Sequence, residues 1–174
     1  MERILSEKAQ REVHRALLVN RYATPLAIFL VGLGIFVSQP SSPLKEVCIG
    51  LMFFGVVFNL GTGAYLKHKG GHHLLIEVRR YVNLAVNVLL VYLLGGYFTP
   101  IWMILALTPL ATAIYENRAR TLGFALGVSA VLLVIHGLRG ASSPLEWGNQ
   151  LAVCTFIILV SLLVNEVSAL AKKA

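Results

Sequence analysis

Six stretches of this chain are apolar enough to cross, or nearly cross, a lipid bilayer. They lie at about 22–38, 45–66, 81–95, 101–115, 121–138 and 148–169. A hydrocarbon core of about 30 Å takes about 20 helical residues to span. The second, fifth and sixth stretches meet that length with ease. The third and fourth hold only about fifteen clearly apolar residues each, roughly 22 Å at 1.5 Å per residue. Composition points the same way. Of the 174 residues, 57% are hydrophobic and 13% charged, where a soluble domain runs nearer half and a quarter. So few charges do not cover the surface of a soluble domain of this size, and so apolar a chain is not a disordered one. The first stretch does not read as a cleavable signal peptide: a long charged segment precedes it and no small-residue cleavage site follows.

The charges orient these stretches. Arg3, Lys8, Arg11, Arg15 and Arg21 precede the first. Lys67, Lys69, Arg79 and Arg80 occupy the loop after the second and the entry to the third. Arg118 and Arg120 separate the fourth from the fifth, and Lys172 and Lys173 follow the sixth. That assigns 13 of the 15 basic residues to one side, with only Lys45 and Arg139 opposite. By the positive-inside rule both termini are cytoplasmic and the chain crosses the inner membrane six times. The net charge of +7 is therefore a topology record. It is not a nucleic-acid patch, because the basic residues alternate with the spans instead of lining one face.

The expected fold is all-α: a polytopic membrane protein of six transmembrane helices in three hairpins, since each segment in lipid must satisfy its own backbone hydrogen bonds. Residues 1–21 form a cytoplasmic amphipathic helix and residues 22–174 the transmembrane domain. In the former, Leu5, Ala9, Val13, Ala16 and Leu17 share a face, and Arg3–Glu7 and Glu7–Arg11 are opposite charges four apart. Two outer loops carry the same helix-start chemistry, Ser41-Ser42-Pro43-Leu44 and Ser142-Ser143-Pro144-Leu145. Serine caps, proline suits the first helical position, and Glu146 completes a capping box with Ser143.

Catalytic constellations are absent from the sequence. There is no Asp, no phosphate-binding glycine loop and no dinucleotide fingerprint, so no catalytic residue is assigned. Cys48 and Cys154 fall in the outer halves of their spans and read as small buried apolar residues; whether they meet is open. His68, His72 and His73 flank Gly70-Gly71 in a basic loop that is a poor preformed metal site, and no metal ligand set is assigned. His136 has no intramembrane partner for a bis-histidine haem. Intramembrane polar groups are the usual pointers to function. Here they are Asn59, Asn83 and Asn87 (the last two on one helix face), then Thr108, Thr112, Thr155, Ser161, Asn165 and Glu166. Each also serves as a helix-to-helix hydrogen-bonding group. No charged residue is expected at the centre of a span, which argues against a proton relay or an ion-coupled carrier. Gly123 and Gly127 form a G-x-x-x-G, suited either to packing within the chain or to a homodimer seam.

The most informative stretch joins the two short spans on the outer side: Gly95-Gly96-Tyr97-Phe98-Thr99-Pro100, followed by Trp102. Between short helices such a turn sits below the outer surface, where irregular backbone is tolerated only inside protein or along a cavity. Two glycines allow close backbone approach. Tyr97, Phe98 and Trp102 offer flat apolar faces with polar edges. A quinone headgroup suits that mixture, and a quinone is the one cofactor the residues suggest. A tight hairpin with an aromatic interface belt is the simpler alternative.

These residues resemble the membrane domain of the RegB/PrrB redox-sensing histidine kinases. Between its third and fourth helices that family carries a pattern close to L-L-Y-L-T-G-G-x-x-N-P-F, then an aliphatic helix with a proline. This chain reads Val91-Tyr92-Leu93-Leu94-Gly95-Gly96-Tyr97-Phe98-Thr99-Pro100-Ile101, then Pro109. Tyr92, the glycine pair and Pro100 match; Thr99 stands for the family's Asn and Ile101 for its Phe. The resemblance implies six transmembrane helices, cytoplasmic ends and a sensor that reads the quinone pool and adjusts an attached kinase. The kinase's coiled coil, phospho-acceptor histidine and redox-active cysteine do not follow within these 174 residues, so the chain is either the sensor part of a longer protein or a free-standing relative.

Three functions follow. One is a sensory membrane domain binding a quinone-like ligand at Gly95, Gly96, Tyr97, Phe98, Thr99, Pro100 and Trp102 and relaying it to a cytoplasmic output. The alternative is a non-catalytic accessory subunit of a larger membrane complex. A small-molecule transporter is third, weakened by the lack of an ionisable group beside Pro109.

Overall fold

A computed structural model describes residues 21–69, 73–140 and 142–171; the amphipathic segment expected over 1–21 lies outside them almost entirely. All the regular structure among the described residues is helical. In chain order, α1 is Arg21–Ser38, α2 Ser42–Lys69, α3 His73–Leu94, a short 3-10 turn η1 Thr99–Trp102, α4 Met103–Tyr115, α5 Arg118–Leu138 and α6 Pro144–Ala171. The chain divides into two compact units, one ending at Ile104 and the other beginning at Leu105.

Four helices are long and apolar enough to cross a membrane: α1, α2 over Ser42–His68, α5 and α6. The all-helical expectation holds, but the expected count of six crossings is not supported among the described residues. α3 has the length, at 22 residues, but its first half carries Glu77, Arg79 and Arg80. The apolar stretch Thr99–Tyr115 is helical but too short. From Ile104 to Tyr115 no side chain of α4 is exposed.

The long helices turn large apolar side chains outward. Phe29, Phe36 and Phe53 are each more than 60% exposed. In water such a surface would be an aggregation hazard; against acyl chains it costs nothing. This is a membrane protein, and the inward faces carry the specific packing. In the first unit α2 packs along α3, and η1 folds against α3. In the second, α5 and α6 form an antiparallel hairpin. Their shared face holds Thr121, Ala125, Val128, Ser129 and Leu132 from α5 and Cys154, Ile157, Ser161 and Asn165 from α6. Cys154 Sγ donates to the Ser129 carbonyl at 3.6 Å and Ser129 Oγ to the Cys154 carbonyl at 3.5 Å. Both cysteines are buried free thiols. Gly123 and Gly127 do not contribute to this packing: both are exposed, and a Cβ built on either meets no described atom within 4 Å.

The expected helix starts form. Ser143 Oγ accepts from the Glu146 backbone N–H at 3.1 Å, and the Glu146 carboxylate accepts from the Ser142 and Ser143 N–H groups at 3.2 Å each. At α2 the resemblance is looser, since Ser42 Oγ donates to the Glu46 carboxylate at 2.9 Å. Asn117 caps α5 by accepting from the Arg120 N–H at 2.9 Å. Gln39, just past α1, takes a left-handed backbone with φ of 43°. Its side-chain amide donates to the Phe36 carbonyl at 2.9 Å, a local bond that steadies a conformation most side chains avoid. Replacing Ser143 by alanine removes half of the α6 capping box and is expected to lower stability by about 1 kcal/mol, measurable as a shift in detergent-denaturation midpoint.

Candidate functional site

The Gly95–Trp102 turn is built from the end of α3. The Gly95 N–H donates to the Val91 carbonyl at 2.9 Å, and the Tyr97 and Phe98 N–H groups both donate to the Leu94 carbonyl at 2.9 and 2.8 Å. These bonds close the helix end, and Ile101 N–H donates to the Phe98 carbonyl at 3.1 Å to start η1, with Pro100 in its first turn.

Its side chains divide into two groups. Ile101 is fully buried and Trp102 half-buried, while Tyr97 is 58% exposed and Thr99 and Pro100 are also exposed. Gly96 faces open space, since an added Cβ would touch nothing within 4 Å. Phe98 is half-buried and packs on α1: a Cβ at Gly34 would come within 3.1 Å of its ring. Phe98 thus anchors the turn on α1, and Gly34 is the missing side chain that makes room for it. Of the seven residues expected at the site, Gly96, Tyr97, Thr99 and Pro100 form the open rim.

A second polar group lies toward the other end of α2 and α3. Asn59 and Asn83 pair their carboxamides reciprocally, Asn59 Nδ2 donating to Asn83 Oδ1 at 3.0 Å and Asn83 Nδ2 to Asn59 Oδ1 at 2.9 Å. Arg79, only 6% exposed, donates from Nε to Asn59 Oδ1 and from Nη2 to the Asn59 carbonyl, both at 3.0 Å. Arg80 is also buried and pairs with Glu77 at 3.2 Å. The sequence places these arginines in a solvated entry to the third span. Instead they lie within α3, and Arg79 is bound to the middle of a neighbouring helix. The available signal was Arg79 standing four residues before Asn83, and so on the same face.

Asn87, one turn further along α3, does not join that group. It donates to the Ile104 carbonyl at 3.1 Å and so ties α3 to the first turn of α4. The three asparagines expected as helix contacts all serve as such, two together and one apart.

In the second unit Asn165 joins α6 to the end of α4 and the start of α5. Buried at 6% exposure, its Nδ2 donates to the Ala113 carbonyl at 2.9 Å, to the Glu116 carbonyl at 3.0 Å and toward Thr121 Oγ1 at 3.3 Å. It caps the end of α4 from α6. Beside it, Arg118 and Glu166 form an exposed ion pair at 3.4 Å. At the opposite end of this hairpin the His136 ring meets Trp147 edge-on, with centroids 5.1 Å apart. Within α4, Thr112 Oγ1 donates to the Thr108 carbonyl at 2.8 Å, one turn around Pro109. No group of three metal-ligating side chains occurs among the described residues. The histidine loop expected to be solvated falls largely on residues 70–72, outside them.

Comparison with protein families, with curated proteins and with solved structures finds no match to this chain. The functional reading therefore rests on the residues themselves.

Two substitutions check this geometry. Asn165→Leu leaves the last carbonyls of α4 without their donor and should lower stability by about 1–3 kcal/mol, read from denaturation in detergent. Gly34→Val drives a branched side chain into the Phe98 ring and should cost about 1–3 kcal/mol, with proteolysis at the turn rising in parallel.

Proposed function

We propose that this chain is a non-catalytic sensory domain of the inner membrane. In this reading it crosses the bilayer six times with both ends cytoplasmic, α3 and the η1–α4 segment forming the crossings that length and apolarity alone do not qualify. The distribution of basic residues supports that orientation. At about 1.5 Å per residue, the 22 residues of α3 reach about 33 Å, enough for a bilayer core.

The ligand is a quinone-like molecule at the Gly95–Trp102 turn. The observation that carries this reading is the exposed phenol of Tyr97 on a turn whose backbone is closed by its own hydrogen bonds. The turn is held in place by Phe98 on Gly34. Tyr97 and Thr99 are the groups that would hydrogen-bond a quinone carbonyl. Gly96 leaves room for a flat ring, and Trp102 offers an aromatic edge. Phe98 supports the site from behind instead of stacking on the ligand. The resemblance to the RegB/PrrB sensor domains supports the same choice, through Tyr92, Gly95, Gly96 and Pro100. Occupancy would be relayed through α3, which Asn87 ties to the start of α4, toward a cytoplasmic output.

The test uses the two tryptophans. In a Trp147→Phe background, a short-chain ubiquinone analogue added to protein in nanodiscs should quench Trp102 saturably. Tyr97→Phe removes one neutral hydrogen bond, worth about 0.5–1.5 kcal/mol, and should weaken binding about 2- to 10-fold. Absence of saturable quenching sinks the sensory reading. Together with a stably co-purifying membrane protein, it would point to the accessory-subunit alternative.

A further inference from the structure

The end of the α5–α6 hairpin where α5 finishes holds a histidine without a polar partner. α5 closes on a left-handed Gly140 with φ of 78°, whose N–H donates to the Gly137 carbonyl at 3.0 Å. His136 stands in the last turn of that helix. Trp147, in the first turn of α6, lays its indole over this turn. It meets the His136 ring edge-on with centroids 5.1 Å apart, and a Cβ built on Gly137 would lie 3.6 Å from its Cη2. The bare backbone of Gly137 thus gives the indole room to reach the histidine.

The ring is held there by shape and not by polarity. His136 Nε2 is fully buried and has no hydrogen-bond partner among the described residues. A neutral imidazole tolerates this position, because one of its nitrogens carries no proton. In the protonated ring both nitrogens are donors, and a buried charged N–H without an acceptor is costly. Histidine is the side chain that ordinarily changes charge between about pH 5 and 8. The clasp under Trp147 therefore suits one protonation state only.

A place for the other state lies beside it. The charged groups on the two helix ends around His136 are Arg139, exposed just past α5, and Glu146, exposed next to Trp147 on α6. Glu146 is close enough to His136 for their charges to interact. Its carboxylate holds the start of α6, and both backbone N–H groups it receives, from Ser142 and Ser143, fall on Oε2. A carboxylate has about four acceptor sites, so this one has capacity left for an imidazolium N–H.

We propose that His136 is a proton-operated latch between α5 and α6. Neutral, its ring is clasped under Trp147; protonated, it leaves the indole, donates to the Glu146 carboxylate and uncovers Trp147. In the orientation proposed above this end of the hairpin faces the outer side, so the acidity it reads is that compartment's. The latch itself depends neither on that topology nor on a quinone.

The experiment follows Trp147 alone. Trp102→Phe leaves it the single tryptophan of the full chain, which is held in nanodiscs so that both faces meet the buffer. Acrylamide quenching of Trp147 is measured from about pH 8 down to pH 5. The quenching constant should rise as the pH falls. His136→Phe keeps an aromatic ring against the indole but takes no proton, and quenching should then stay at its starting value throughout. Glu146→Gln keeps the capping box, in which glutamine also serves, while removing the charge. The rise should then move to lower pH by roughly a few tenths of a unit. A quenching constant that is flat over the whole range overturns the latch even if the emission dims, since protonation in place dims an indole without uncovering it. A rise that persists in His136→Phe overturns it by assigning the titration to another group. A rise unmoved by Glu146→Gln overturns the transfer to that carboxylate. Each of these results leaves the crossing count and the quinone reading to their own tests.

Discussion

Lipid offers no hydrogen bonds. Every polar group that enters the hydrocarbon region must find its partner within the protein, and that constraint accounts for most of the specific geometry in this chain. Helices answer it along their length. What remains are the places where helices end, bend or carry a polar side chain, and several of these are closed by a particular residue. The α3 end closes on the Leu94 carbonyl, the α4 end on Asn165 and the α6 start on the Ser143–Glu146 box. The buried cation Arg79 is closed on Asn59. Burial of apolar area cannot distinguish one helix partner from another when the solvent itself is apolar, so these polar contacts and close fits such as Phe98 on Gly34 set which surfaces meet.

How much of this was legible in the sequence depended on the range of the interaction. The α6 capping box joins residues three apart, and the pattern Ser-Pro-Leu-Glu announces it. The helical character of all six stretches followed from apolar runs. The crossing count did not follow, because the α3 and α4 stretches are apolar over too few residues to qualify by length and apolarity. Arg79 was read by its charge and its position beside a basic loop, which is where most such residues sit. Its bond to Asn59 reaches twenty residues away to another helix, and the one local hint of it is Asn83, one turn further on the same face. Asn165 likewise appeared as one polar residue among several, since its acceptors are 44 to 52 residues distant.

The Gly95–Trp102 turn shows the same division. Its residues stood out because glycine and aromatic types cluster there, and the exposed Tyr97, Thr99 and Pro100 agree with that. The separation of roles within it was not readable. Phe98 and Tyr97 are adjacent aromatic residues in a loop, yet one anchors on α1 and the other is open. The distinction comes from Gly34, sixty-four positions earlier, whose absent side chain admits one ring only. Of the two uses open to the G-x-x-x-G in α5, packing within the hairpin is not the one seen: the motif stands on an exposed face, and Ala125, Val128 and Ile157 pack the hairpin instead.

The reciprocal carboxamides of Asn59 and Asn83 have one further consequence. A uniformly apolar helix surrounded by acyl chains can spin about its own axis with little penalty, because lipid has no preferred azimuth. An amide pair in which each partner both gives and accepts holds only at one rotational phase. Turning either helix by a single residue, about 100°, would carry one amide out of reach and leave the other alone in hydrocarbon. The pair therefore acts as a key in a keyway: it sets the angle at which α3 stands to α2, and so the direction in which everything further along α3 points.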